Sequence, residues 1–240
     1  MKANRFFMTA IFSIIGVLAA AQPWMMRPQG PANEFSAMEG TSVLNYNLQM
    51  ERDIHSRAGF GPAFYIFPDS KLDNNQALEL AGKLDLVNII KEYGGRIMVV
   101  NPSSDKWQEQ DLENFRRLIG MGGSPTNVKV IGIGSGATFV NRHLAATDLT
   151  GVIAGIVSID GEPGKICKLP VPAFIGGKNA AKAAKPYQAT SDAAPADPLQ
   201  KVVVNTDKKA SLETLFAEAW DEVLSANYRY NNLYRTFYMS

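Results

Sequence analysis

Apolar residues along the chain recur with two different periods. Short runs rich in β-branched or aromatic residues predict buried strands, and segments with apolar residues three and four positions apart predict amphipathic helices. The predicted strands are residues 63–67, 96–101, 127–133, 151–159, 171–175 and 201–205, with a looser edge-type strand at 42–50, and the clearest helices are 76–93, 107–121 and 210–226. Strands that alternate with helices at this spacing predict βαβ units and a parallel sheet.

The strand at 127–133 ends in a glycine-rich turn around a single serine, Ser135. Beyond the turn, Ala137, Val140 and Leu144 have the spacing of one helical face. The stretch therefore predicts a strand, a sharp turn that carries Ser135, and a helix.

One chemistry that uses such a turn is nucleophilic catalysis. A serine nucleophile is held on a strained strand-to-helix turn, with small residues two positions before and after it, in the pattern G-x-S-x-G. Around Ser135 the chain has I-G-S-G-A, so the small residue after the serine is kept and the first position departs from the pattern.

A second chemistry is the binding of a dinucleotide pyrophosphate at a helix N-terminus. Gly132, Gly134 and Ala137 match the spacing G-x-G-x-x-G/A, and Asp160 lies at roughly the distance expected of the acid that binds the ribose. The third interpretation is a glycine-rich turn with no chemistry.

Length and composition indicate a single globular domain. The chain has 240 residues, of which 46% are hydrophobic and 20% charged, as is usual for soluble proteins. Its formal net charge is +1 and no Lys/Arg run stands out, so nucleic-acid binding is not expected.

Residues 1–21 have the pattern of a secretory signal peptide. Lys2 and Arg5 precede an apolar core, and three alanines that end at Ala21 form a small-residue cleavage site. We therefore expect cleavage near Ala21 and a secreted or periplasmic mature protein without a stable membrane anchor. Prolines and glycines in residues 22–41 predict an irregular segment, so the folded domain is expected at 42–240.

Later in the chain, residues 178–198 are rich in Ala, Lys and Pro and predict a long, mobile surface loop. No cluster of His, Cys, Asp and Glu has metal-ligand spacing, and the lone Cys167 has no partner for an intramolecular disulfide. Neither a metal ion nor another cofactor is therefore expected.

The order of elements, together with the serine turn, resembles that of α/β hydrolases, in particular secreted bacterial esterases of the feruloyl-esterase and polyhydroxybutyrate-depolymerase kind. The resemblance covers residues 63–226. It implies a three-layer α/β/α sandwich with a mostly parallel sheet, and a serine esterase acting on small or polymer-linked carboxylic esters. Residues 227–232 also resemble larger secreted hydrolase-like proteins in which a further domain follows, which implies a second hydrolase domain or a partner chain.

The resemblance also assigns catalytic roles to individual residues. The nucleophile is Ser135, and the oxyanion donors are the backbone N–H of Gly136 and one from the loop after the first core strand, near Asp69 or Ser70. The acid of the triad is Asp160, with Asp192 as the alternative. The base in such enzymes is a histidine after the last strand, where this chain has none.

The two histidines of the chain are His55 and His143. His143 follows Ser135 by about two helical turns, so its ring cannot easily return to the serine. The base is then expected to be His55 or to come from sequence outside this chain. A serine hydroxyl without a base is a poor nucleophile at neutral pH. Three functions therefore stay open: a serine esterase with an incomplete triad, an inactive hydrolase-like domain (a pseudoenzyme) that binds or scaffolds, and a dinucleotide-binding oxidoreductase.

Overall fold

The computed structural model of the chain describes residues 35–38, 41–46, 62–93, 96–121, 127–194 and 201–226. The predicted signal peptide, His55 and residues 227–240 lie outside these ranges. The expectations of export, of a catalytic base and of a following domain therefore stay predictions.

The described strands form one sheet. They are β1 (Phe35–Met38), β2 (Thr41–Tyr46), β3 (Ala63–Phe67), β4 (Arg96–Val100), β5 (Val128–Ile133), β6 (Ile153–Ile159), β7 (Ala173–Gly176) and β8 (Val202–Asn205). Their order is β1-β2-β4-β3-β5-β6-β7-β8. β3 to β8 run parallel to one another, whereas β1 and β2 pair antiparallel at one edge.

The described helices cover both faces of this sheet. They are α1 (Asn74–Lys83), α2 (Leu86–Tyr93), α3 (Gln110–Met121), α4 (Ser135–Phe139), α5 (Ala180–Ala183), α6 (Lys185–Asp192) and α7 (Leu212–Ala219). α4 continues as a π-helical turn at Val140–Leu144, α7 continues as another at Trp220–Leu224, and a 3₁₀ turn lies at Asp148–Gly151. None of these helices is long and apolar enough to cross a bilayer.

Two apolar cores hold the three layers together, because strands buried on both faces need helices on both sides. On one face, Tyr65 and Val130 pack with side chains of α3, α4, α5 and α6. On the other, Phe64 and Ile131 pack with α1, α2 and α7. The predicted three-layer α/β/α sandwich with a mostly parallel sheet is confirmed.

The first predicted helix, at 76–93, is two helices in the structure. α1 begins with a capping box in which Asp73 and Gln76 exchange side-chain and backbone hydrogen bonds. The chain then turns at Asp85, whose φ is 51°, and α2 follows. The apolar spacing continues across this break, so periodicity alone did not show it.

The segment predicted as a mobile loop, 178–198, contains α5 and α6, so that prediction is wrong for the described residues up to 194. Ala180, Ala183 and Ala184 are buried against the sheet, and Pro186 lies in the first turn of α6, where its missing N–H costs nothing. Alanines give a weak hydrophobic signal even when they are fully buried, so composition suggested a loop.

At the other end of the domain, β1 lies within residues 22–41, which the sequence predicted to be irregular. Its four residues pair with β2 in the register Phe35↔Leu44 to Met38↔Thr41. A strand of this length is too short to show a clear period in the sequence.

Lys129 is a charged residue in the middle of the sheet. It is only 1% exposed, between Phe64 of β3 and Gly155 of β6. Its Nζ donates a hydrogen bond to the carbonyl oxygen of Ala226, 2.6 Å away, just beyond the turn that ends α7. Burial lowers the pKa of Lys129 to about 7.

We expect Lys129 to make the free energy of unfolding rise with pH. Between about pH 7 and the ordinary lysine value of 10.5 the unfolded chain holds a proton that the folded chain has released, so stability increases by up to ~1.4 kcal/mol per pH unit. Below pH 7 both states are protonated and this contribution is constant. The measurement is denaturant unfolding at pH 7 and 9. From pH 7 to pH 9, the free energy of unfolding of the wild type should rise relative to that of Lys129→Met.

The matched control is Lys182→Met, because Lys182 is exposed on α5. This variant should keep the pH dependence of the wild type. A Lys129→Met protein that differs from wild type by the same amount at both pH values would contradict the assignment.

Candidate active site

The turn between β5 and α4 is centred on Gly134. This residue has φ 56° and ψ −117°, a conformation that L side chains rarely adopt, and it precedes the first helical residue, Ser135. Its N–H donates to the carbonyl oxygen of Ile159 at 2.8 Å, which ties the end of β5 to the end of β6. The strained position of the turn is therefore residue 134.

Glycines two positions before and after Gly134 allow the helix to approach the strands. A Cβ on Gly132 would lie 2.6 Å from the Cα of Ala137, and a Cβ on Gly136 would overlap the carbonyl oxygen of Phe67. In the G-x-S-x-G arrangement the nucleophile stands between two such small residues. The structure thus shows the pattern in the register 132-134-136, with a glycine at its centre.

Ser135 was predicted on the turn, and in the structure it is the first residue of α4, one position after Gly134. Gly136, the predicted oxyanion donor, is the second residue of that helix. The catalytic roles of both residues stay predictions. In the sequence, glycines at 132 and 136 flank residue 134 symmetrically, but this spacing alone does not choose between 134 and 135.

Asp69, in the loop after β3, makes two contacts with Ser135. The N–H of Ser135 donates to Asp69 Oδ1 at 2.6 Å, and the Ser135 hydroxyl donates to the backbone carbonyl of Asp69. Both residues are exposed. Ser70, the other predicted oxyanion residue, is the next exposed residue of the same loop.

The loop that carries Asp69 is held on both sides. The indole N–H of Trp107 donates to the carbonyl of Pro68 at 2.8 Å. The buried Asn101 side chain accepts from the N–H of Leu72 at 3.0 Å and donates to its carbonyl at 2.8 Å. The position of Asp69 is therefore set by the structure on either side of it.

Asp160, the predicted acid, lies at the end of β6, beside the turn after β5. It has φ 58°, and its Oδ1 accepts a hydrogen bond from the N–H of Lys178 at 2.8 Å. Gly177, with φ 92°, leaves the space that the Asp160 carboxylate occupies. The structure brings Ser135 and Asp160 to the same edge of the sheet and gives the Asp160 carboxylate a partner in the turn after β7.

His143 is the one histidine in the described part of the chain. It is half-buried, and its ring lies 5.6 Å from that of Phe139, which in turn stacks on Trp107 at 4.9 Å. Eight residues separate it from Ser135, about 12 Å along a helix axis. In the turn after β8, where a catalytic histidine is expected, Asp207 accepts a hydrogen bond from the N–H of Lys209.

No group of three or more His, Cys, Asp or Glu among the described residues is close enough to hold a metal ion. Gly132 and Gly134, which suggested a dinucleotide loop, leave the space that close packing around the turn requires. The Asp160 carboxylate accepts a hydrogen bond from the N–H of Lys178. Dinucleotide binding stays a prediction.

The sheet order, the helices on both faces and the tight turn from β5 into α4 define the α/β-hydrolase fold, and this chain has that fold. The expectation from the element order is thus confirmed at the level of the fold.

The comparisons with known proteins found similar solved structures at low sequence identity. No protein-family model and no curated protein sequence matches the chain. Similar solved structures include a carboxylesterase from Mesorhizobium loti, at 9% identity and a TM-score of 0.48 over 79% of this chain and 98% of that one. A poly(3-hydroxybutyrate) depolymerase from Bordetella parapertussis is 8% identical, with a TM-score of 0.48 over 75% and 83%. A carboxylesterase from Bacillus cereus is 13% identical, with a TM-score of 0.44 over 75% and 92%.

We expect Gly132→Ala to destabilise the fold, because the new Cβ meets the backbone of Ala137, which cannot move aside as a side chain would. Overpacking of this kind costs roughly 1–3 kcal/mol. The measurement is the midpoint of denaturant unfolding.

Gly82→Ala is the matched control in α1. No atom lies within 4 Å of a Cβ at Gly82, and alanine in a helix interior is favoured over glycine by about 0.5–1 kcal/mol. The two changes should therefore move the midpoint in opposite directions. A neutral or stabilising Gly132→Ala would mean that the turn does not need the close contact described above.

Proposed function

We propose that this chain is a catalytically inactive α/β-hydrolase-fold protein that functions by binding or scaffolding. The observation that supports this most directly is Gly134 at the strained centre of the turn, where a hydrolase holds its nucleophile. A glycine supplies no oxygen or sulfur to attack a carbonyl carbon, so the acyl-enzyme route has no starting group at this position.

The surroundings of Ser135 support the same proposal. Its hydroxyl donates to a backbone carbonyl, which cannot accept the proton that a nucleophile must give up during attack. Its N–H is bonded to the Asp69 carboxylate. Neither group is arranged as a base-activated nucleophile requires.

The serine esterase remains the alternative that the sequence suggested, with Ser135 as nucleophile, Asp160 as acid and His55 as base. In its favour, the Ser135 side chain is exposed at the carboxyl edge of the sheet, where Asp160 also lies. The substrate would be a small or polymer-linked carboxylic ester, and the protein would act after export. The two proposals differ in whether Ser135 becomes acylated.

We expect the purified chain to hydrolyse 4-nitrophenyl acetate and butyrate at the same background rate as its Ser135→Ala variant. A fluorophosphonate probe followed by peptide mapping should leave Ser135 unlabelled, because the hydroxyl has no base to accept its proton. Ser70→Ala is the control for reaction at an exposed serine of the same edge.

Serine-dependent turnover together with labelling at Ser135 would overturn the proposal and establish the esterase. His55→Ala and Asp160→Asn would then show whether the predicted base and acid complete its triad.

A further inference from the structure

In an α/β hydrolase, the N–H of the residue after the nucleophile helps to bind the oxyanion of the tetrahedral intermediate. With the turn centred on Gly134, that residue is Ser135, and its N–H is bonded to Asp69 Oδ1 at 2.6 Å. The carboxylate oxygen therefore lies where the oxyanion of a substrate would accept its hydrogen bond.

We infer that Asp69 is a built-in anion that closes the oxyanion position, and that Asp69 and Gly134 are a matched pair. This inference rests on the proposed function, because it gives a second reason, separate from the missing nucleophile, why the centre does not process esters. It assigns to Asp69 a contact within the chain that occupies the N–H a substrate oxyanion would use.

The matching of the two positions follows from the space around Gly134. A Cβ built on Gly134 would overlap Asp69 Oδ1 and lie 2.9 Å from the Asp69 Cβ. A side chain at 134 and the present position of Asp69 therefore exclude each other. A serine placed at 134 would meet the carboxylate before it could meet a substrate.

The loop around Asp69 fixes this contact. Trp107 holds the carbonyl of Pro68 on one side, and Asn101 holds both backbone groups of Leu72 on the other. The Asp73 capping box then begins α1. These contacts restrict movement of the backbone that carries Asp69.

Charge favours the same arrangement. The first N–H groups of a helix have no partner within the helix and attract a negative group. Asp69 supplies that group from within the chain, so an oxyanion from outside would have to displace a carboxylate and would be repelled by it.

If Asp69 only capped α4, its hydrogen bond to Ser135 would account for its role. Pairing with Gly134 also requires that Asp69 excludes a side chain at position 134. The two explanations therefore differ in whether substitutions at 69 and 134 affect stability independently. Sites that act independently have additive effects, whereas sites in contact do not.

The first experiment is amide hydrogen exchange on the full chain. The N–H of Ser135, although at an exposed helix start, should be protected in the wild type and should exchange at least about tenfold faster in Asp69→Gly. The N–H of Thr138 is the internal control, because it bonds to the carbonyl of Gly134 at 3.0 Å and should be unaffected. Equal exchange of Ser135 in the two proteins would overturn the inference.

The second experiment is a double-mutant cycle with Gly134→Ala, Asp69→Gly and the double variant, read as denaturation midpoints. Gly134→Ala should lower the midpoint more in the wild-type background than in the Asp69→Gly background. If Gly134→Ala folds only in the Asp69→Gly background, the conclusion is the same. Equal losses in both backgrounds would reduce Asp69 to a cap and overturn the pairing. If neither background folds with alanine at 134, the exchange of Ser135 decides.

These outcomes are separate from those of the proposed function. Labelling of Ser135 by a fluorophosphonate would refute inactivity whatever the cycle shows. Additive midpoints with an unlabelled Ser135 would refute the pairing and leave inactivity in place.

Discussion

The approach of α4 to the ends of β3 and β5 is the constraint on which the site depends. Backbone meets backbone there, at Gly132 against Ala137 and at Gly136 against Phe67, with no side chain between them. Gly134, which lies between Gly132 and Gly136, takes a φ of 56°, a conformation that glycine adopts readily. The packing of the central strands thus fixes the turn, and the turn fixes which residues reach the carboxyl edge of the sheet.

Two ionisable side chains are held by backbone partners at different places in this framework. The Asp69 carboxylate accepts a hydrogen bond from the N–H of Ser135 at the start of α4, and Lys129 Nζ donates one to the carbonyl of Ala226, beyond the turn that ends α7. The negative charge of Asp69 has the sign that the start of a helix favours. At the carboxyl edge of the sheet, Asp69 thereby occupies the N–H of Ser135, a donor that a hydrolase would keep free for the oxyanion of its substrate.

Much of the fold could be predicted from periodicity. The apolar runs that became β3, β4, β5 and β6 are short and rich in β-branched or aromatic residues, and these two properties favour a buried strand over a buried helix. The sequence failed where burial used small residues or where a break did not alter the period. Ala180 and Ala183 are buried in α5 but looked like loop composition, and the turn at Asp85 left the apolar spacing of α1 and α2 intact.

The sequence by itself determined the order of strands and helices and the presence of a glycine-rich turn after β5, because both depend on neighbouring residues. Only the tertiary structure decided that Gly134, and not Ser135, stands at the strained position. That choice depends on how closely Gly136 approaches Phe67, a residue that belongs to a different strand. The tertiary structure also decided that Asp69 accepts a hydrogen bond from the N–H of Ser135. The two residues are far apart along the chain, and this bond forms only when the sheet brings their loops together.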